Sequence, residues 1–169
     1  MNADKYIYED TNYAEQFNTL LVIDAAFANN KHARPEFHIL GGTALVFHGL
    51  QFEMTIDIDT ANRINENVKN IVGELINDNA SEVATLAKNY TTRLIAFHPE
   101  VYKNIDVFIL SIEDLVITKL GGWRIKDQDD LRKSKLMEAC NLDKLYTIMH
   151  EELDEETYGK LLQRLATVV

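Results

Sequence analysis

Apolar residues recur every three or four positions over several stretches of the chain, and this spacing predicts amphipathic helices. The stretches are 11–30, 43–49, 65–77, 81–88, 111–120, 131–140, 142–151 and 154–167. Shorter apolar runs predict strands at 36–40, around 57–59, at 93–97 and at 105–110. The pattern therefore predicts an α/β (α+β) fold, in which helices flank a small mixed sheet and the chain is helical from about 127 to 169.

A glycine pair, Gly41-Gly42, separates the first predicted strand from the helix that follows. Without a Cβ atom, the backbone can approach a ligand closely. The free N–H groups and the dipole at the start of a helix favour an anion. The glycine pair is therefore a candidate phosphate site, although most such pairs are simple turns.

Two acids, Asp57 and Asp59, alternate with Ile56 and Ile58 on the next predicted strand. Alternate residues of a strand share a face, so packing of the isoleucines directs both carboxylates to the other side. A divalent cation relieves their repulsion, and hard oxygen ligands favour magnesium. The alternative is the solvated face of a half-buried sheet. We refer to Asp57 and Asp59 as the acid pair.

A later predicted strand carries a single acid, Asp106, among apolar neighbours. If this strand lies beside that of the acid pair, Asp106 comes within about 5 Å of it, one inter-strand spacing. Three carboxylates could then hold two metal ions for phosphoryl or nucleotidyl transfer.

Gly41-Gly42-Thr43, followed by Asp57-Ile58-Asp59 and then by Asp106, resembles the polymerase-β-like nucleotidyltransferase superfamily. The chain is most similar in detail to the small prokaryotic nucleotidyltransferases that include toxin–antitoxin and phage abortive-infection members. The resemblance covers roughly residues 36–135 and implies a sheet of the nucleotidyltransferase palm type.

The resemblance implies transfer of a nucleoside monophosphate from a nucleoside triphosphate to an acceptor hydroxyl, with two Mg²⁺ ions. The metal ligands and catalytic residues that it implies are Asp57, Asp59 and Asp106. The nucleotide-binding residues that it implies are Gly41, Gly42, Thr43, Lys119 and Arg124. Members of the group tend to carry an arginine in an R-x-T-x-D-I-D arrangement. This chain keeps Thr55 but has Glu53 in place of the arginine, which removes a cation from the predicted metal site.

The helix at 111–120 carries Lys119 near its end. We expect Ile112, Leu115 and Val116 to face the core and Lys119 to lie on the opposite side. A solvent-exposed lysine near a helix C-terminus is the alternative to a phosphate ligand. Ser111 is expected to cap this helix, and a capping role would suffice for Asp127 and Asp130 at the start of the next one.

The chain has 169 residues, which predicts one domain over 1–169 with its core at about 36–135. Neither a membrane-spanning run nor a leader is evident. Cys140 is the only cysteine, which excludes an intrachain disulfide and favours the cytoplasm. The net charge of −10 disfavours long RNA or DNA as the main partner and suits a basic protein.

The acceptor stays open among tRNA, a protein and a small molecule. A non-catalytic module on the same scaffold, binding a nucleotide or a cognate protein as in a toxin–antitoxin pair, is the main alternative to an enzyme. A plain α/β domain with solvated strand acids is a further one.

Overall fold

The computed structural model describes residues 11–30, 34–50 and 57–169. The chain forms two compact units, one from residues 1–82 and 95–109 and the other from 83–94 and 110–169. The expectations for Glu53 and Thr55 concern residues outside the described ranges.

The first unit contains a five-stranded mixed sheet in its described part. The strands are β1 (Glu36–Leu40), β2 (Ile58–Thr60), β3 (Ile76–Asn77), β4 (Ile95–Ala96) and β5 (Asp106–Ile109). Their order in the sheet is β3-β2-β1-β5-β4. Strand β1 runs antiparallel to β2 and parallel to β5, while β3 is parallel to β2 and β4 antiparallel to β5. The predicted α/β fold with a small mixed sheet is confirmed.

The register of pairing divides the sheet into two faces, because residues paired across neighbouring strands point the same way. One face is buried and forms the core of the unit with Phe37, Ile39, Ile58, Thr60, Ile76, Val107 and Ile109. We call the other the acidic face, since Glu36, Asp59 and Asp106 lie on it together with His38, Leu40, Asn77, Ala96 and Phe108.

The helices of the first unit are α1 (Thr11–Ala26), α2 (Gly41–Phe47) and α3 (Glu66–Val72), and α4 (Ala80–Val83) ends at its boundary. Helix α1 packs against α2 and α3. The prediction of one helix over 65–77 is wrong, because Gly73 takes a φ of +56° and ends α3. A 3₁₀ turn, Gly73–Leu75, then leads into β3.

The side chain of Asn62 continues the pairing of β1 beyond the end of β2. Its amide nitrogen donates to the carbonyl oxygen of Glu36 at 2.8 Å, and its amide oxygen accepts from the N–H of His38 at 2.8 Å. The N–H of Ala61 donates to the His38 carbonyl at 2.8 Å. The backbone of β1 is thus paired on this side although β2 is only three residues long.

The second unit is helical and is built around α5 (Ile112–Gly122). This helix packs against α6 (Ile125–Lys133), α7 (Leu136–Ala139), α8 (Leu142–Glu152) and α9 (Glu155–Leu165). Residues 113–120 are all buried. The Ser111 cap is confirmed, since its hydroxyl oxygen accepts from the N–H of Asp114 at 3.2 Å.

Arg93, in a 3₁₀ turn (Tyr90–Arg93), links α5 to α8 in the second unit. Its guanidinium donates to both carboxylate oxygens of Asp114 at 2.9 Å and to both of Glu152 at 2.6 and 3.0 Å. Bidentate arginine–carboxylate pairs are among the stronger charge-assisted hydrogen bonds. The hydrogen bonds from Arg93 outweigh the effect of burial and hold the pKa of Glu152 below its ordinary value.

Over the described ranges, none of the helices combines the length and the apolar character that crossing a membrane requires.

Candidate functional site

The turn between β1 and α2 packs against the carboxylate of Asp59. Gly41 has a φ of +68°, and a Cβ atom added to it would lie 3.4 Å from Oδ2 of Asp59. This approach follows from the register, in which Leu40, the residue before Gly41, pairs with Asp59. The left-handed backbone favours glycine at this position, while the contact of an added Cβ atom with the Asp59 carboxylate would be an ordinary van der Waals one.

Thr43 connects α2 to the other member of the acid pair. Its side chain is fully buried, and its hydroxyl donates to the carbonyl oxygen of Asp57 at 3.1 Å. The amide oxygen of Gln16, on α1, lies 3.4 Å from the same hydroxyl. Thr43 was expected to contact a nucleotide, and the structure shows its hydroxyl fixing the backbone of Asp57. The sequence gives no sign of the Gln16 contact, because the two residues are 27 positions apart.

The acid pair lies at the start of β2. Asp57 is exposed and directly precedes the strand, while Asp59 is its partly exposed middle residue. Strand geometry directs side chains two residues apart to the same face. The structure therefore brings together Gly41, Thr43, Asp57 and Asp59.

Asp106 lies at the opposite end of the sheet from the acid pair, so the prediction that it comes within about 5 Å is wrong. Strand β1 lies between β2 and β5. Asp106 pairs with Glu36 at the start of β1, whereas Asp59 pairs with Leu40 at its end. Four residues along β1 span about 13 Å, and two strand spacings add about 10 Å across the sheet. Because β5 runs parallel to β1, its first residue is placed far from the glycine turn.

Asp106 has a basic partner at its own end of the sheet. The Nε atom of Arg34 lies 2.9 Å from Oδ1 of Asp106. The remaining nitrogens of Arg34 donate to the carbonyl oxygens of Tyr102, Lys103 and Ile105. Arg34 thus fixes the segment that leads into β5, and its ion pair with Asp106 belongs to that arrangement.

The acid pair is the carboxylate set that the structure offers to a metal ion at the glycine turn. Among the described residues, no group of three or more His, Cys, Asp or Glu side chains is arranged to hold a metal. The three-carboxylate site expected from the sequence is therefore reduced to two carboxylates beside Gly41.

Lys119 and Arg124 lie in the second unit and differ in exposure. Lys119 is only 5% exposed, and its ammonium lies 2.6 Å from Asp130 and 3.3 Å from Asp127. The prediction that it lies opposite the apolar face is wrong. Leu115 and Val116 are buried and precede Lys119 by four and three residues, a spacing that the sequence already contained. Ile112, which was also expected to face the core, is partly exposed.

The two acids of α6 have different roles. Asp127 accepts from the backbone N–H of Arg124 at 3.1 Å, which confirms its capping role. Burial opposes its ionisation, but the hydrogen bond from Arg124 and the charge of Lys119 outweigh burial and lower the pKa of Asp127. Asp130 binds Lys119 instead of capping the helix. The side chain of Arg124 is largely exposed and contacts Asp127 at 2.9 Å.

A mixed α/β sheet with a glycine turn packed against paired acids fits the nucleotidyltransferase class. A family model described as "Nucleotidyltransferase of unknown function (DUF6036)" matches residues 18–164. Because this match covers most of the chain, the protein belongs to that family. The family confirms the resemblance found in the sequence. Comparisons with curated proteins and with solved structures gave no match.

Proposed function

We propose that this protein is a metal-dependent nucleotidyltransferase that transfers a nucleoside monophosphate from a nucleoside triphosphate to an acceptor hydroxyl. The observation that supports this most directly is the packing of Gly41 against Asp59, at 3.4 Å from the position of a Cβ atom. This packing places the glycine turn beside the acid pair. A nucleoside triphosphate needs both, the turn for its phosphates and the acids for its metal ion.

The residues present fit a hard divalent cation. Asp57 and Asp59 supply carboxylate oxygens, which Mg²⁺ prefers. The space that a Cβ atom at Gly41 would fill stays open beside Asp59. When bound, Mg²⁺ neutralises charge on the phosphates. The two carboxylates support one ion here, since Asp106 lies at the other end of β1.

The backbone of Gly41 and Gly42 presents no side chain to the phosphates, so the chain can approach them closely. Thr43 holds Asp57 in place through the Asp57 carbonyl. Arg124 lies in the second unit, and the nucleotide-binding role that the resemblance implies for it stays a prediction. Lys119, enclosed by Asp127 and Asp130, organises the junction of α5 and α6.

The charge distribution bears on the acceptor. Most basic residues lie in the second unit, whereas acidic residues are shared between both units. The unit that contains the acid pair therefore carries nearly all of the net charge of −10. Such a charge repels a nucleic-acid backbone. We therefore favour a small molecule or a protein hydroxyl over a long nucleic acid as acceptor.

The direct test is transfer of label from each α-labelled nucleoside triphosphate with Mg²⁺ and candidate acceptors. Asp57→Asn is expected to lower transfer by about 100-fold or more. Asp106→Asn is the matched control, because it makes the same change at the far end of the sheet and should retain transfer. Equal transfer by the wild type and Asp57→Asn would refute the proposal.

The displaced Asp106 also favours a second candidate, a module that binds nucleotide without transferring it. Calorimetry separates the two. Mg²⁺-dependent nucleotide binding that Asp57→Asn abolishes, without label transfer to any acceptor, would support the binding module.

A further inference from the structure

The strand that flanks β2 on the side away from β1 is β3. Ile58 pairs with Ile76, and Asp59 pairs with Asn77. Paired residues of neighbouring strands lie about 5 Å apart and point to the same face of the sheet. Asn77 is therefore the residue that flanks Asp59 on the acidic face, in the place where the sequence led us to expect a third acid.

The neighbours of Asn77 fix this orientation. Ile76 is 6% exposed and belongs to the core face. The carboxylate of Asp78 accepts from the N–H of Ile64 at 2.9 Å and lies 3.2 Å from the ammonium of Lys69. Alternation along the segment therefore leaves Asn77 facing the same side as Asp59.

The amide of Asn77 has an oxygen that can accept more than once. Its Oδ1 atom accepts from the backbone N–H of Asn79 at 2.9 Å. A carbonyl oxygen has two lone pairs, so this hydrogen bond uses only one of them. The side chain is partly exposed, and a bound ion can reach it from solvent.

We propose that Asn77 supplies the third protein oxygen to a divalent metal ion held by Asp57 and Asp59. This inference rests on the proposed function. Amide oxygens are regular ligands of hard cations such as Mg²⁺ and Mn²⁺. A neutral third ligand leaves two negative charges at the site, which one divalent ion balances. This ligand set distinguishes the site from one built on three carboxylates for two ions.

The test is a calorimetric titration of the full chain with Mn²⁺, without nucleotide. Asn77→Ala is expected to weaken Mn²⁺ binding about tenfold. Asn77→Asp keeps an oxygen for the Asn79 N–H and adds a negative charge, so it should bind Mn²⁺ more tightly than the wild type. Asn65→Ala is the matched control, since Asn65 caps α3 by accepting from Val68 N–H. It should leave the affinity unchanged.

A second readout is independent of stability. Mn²⁺ broadens nuclear resonances close to it, so the side-chain NH₂ signal of Asn77, assigned with Asn77→Ala, should disappear at low Mn²⁺. Persistence of the Asn77 signal at Mn²⁺ saturation would overturn the inference, whatever the folding of the variants.

Asp59→Asn separates failure of this inference from failure of the proposed function. If Asp59→Asn loses Mn²⁺ binding while Asn77→Ala and Asn77→Asp match the wild type, only the role of Asn77 is overturned. If Asp59→Asn also binds Mn²⁺ like the wild type, both fail.

Discussion

The hydroxyl of Thr43 donates a hydrogen bond to the backbone carbonyl of Asp57 at 3.1 Å. One residue of α2 thereby holds Asp57, while the residue that begins α2, Gly41, packs against Asp59. The first turn of this helix thus holds Asp57 through a hydrogen bond and lies against Asp59.

This bond predicts different outcomes for two substitutions of Thr43. Thr43→Val keeps the shape but removes the donor, which should cost about 1–2 kcal/mol of unfolding free energy. It should lower kcat more than it raises KM, because the bond positions a carboxylate. Thr43→Ser keeps the donor and should restore most of kcat. Denaturant unfolding and steady-state kinetics measure both effects, and a valine variant with wild-type kcat would contradict the positioning role.

Gly41→Ala should disturb both stability and the site. A residue with a Cβ atom at a φ of +68° is strained by about 1–2 kcal/mol. The added atom also occupies the space beside Asp59 and should weaken Mn²⁺ binding. Gly49→Ala is the matched control, because Gly49 has a φ of +71° but nothing within 4 Å of an added Cβ atom. Both variants should lose similar stability, and only Gly41→Ala should lose metal affinity in calorimetry.

Lys119→Met should be strongly destabilising. It leaves the buried carboxylates of Asp127 and Asp130 without their shared cation, which should cost about 3–5 kcal/mol. Lys133→Met removes an exposed pair with Asp129 and should cost at most about 1 kcal/mol. Urea titrations of both variants provide the comparison. Similar small losses in the two would show that the ammonium of Lys119 is not required inside the unit.

The ion pair of Glu152 with Arg93 predicts a pH dependence of stability. The pKa of Glu152 in the folded protein lies below its ordinary value of 4.5. Its stabilisation is therefore fully present above that value and is lost as the pH falls through the folded pKa. Glu152→Gln should flatten the acid side of the stability curve below a pH of 4.5. Thermal unfolding across that range measures it, and parallel curves for the two proteins would argue against the ion pair.

The features that were predicted correctly depend on residues close together in the sequence. The strand at Glu36–Leu40 was predicted with the bounds that it has in the structure, because the turn at Gly41 follows it directly. The cap at Ser111 was found because the partner of its side chain lies three residues away. The glycine turn and the acid pair were recognised as parts of one site for the same reason, since they lie close in the sequence.

Non-local pairing accounts for the errors. The order of the strands decides whether β3 or β5 lies beside β2, and no spacing in the sequence encodes that order. Asp106 was therefore predicted to lie beside the acid pair, whereas β1 separates its strand from β2. Strand β3 has only two residues, too few for an alternating pattern, so Asn77 was assigned to the end of a helix. The burial of Lys119 was in principle predictable from Leu115 and Val116, which lie three or four residues before it on the same helix. Its acidic partners, Asp127 and Asp130, were not predicted because they lie on the next helix, beyond Gly121-Gly122.

The Asn62 side chain that pairs with the backbone of β1 has a consequence for how the protein behaves in solution. Exposed, unpaired strand edges invite a strand from another molecule. Here an amide group occupies the hydrogen-bonding positions of Glu36 and His38 on that side. Strand β2, which carries Asp59, can therefore be short without leaving this edge of β1 open to pairing with a second molecule.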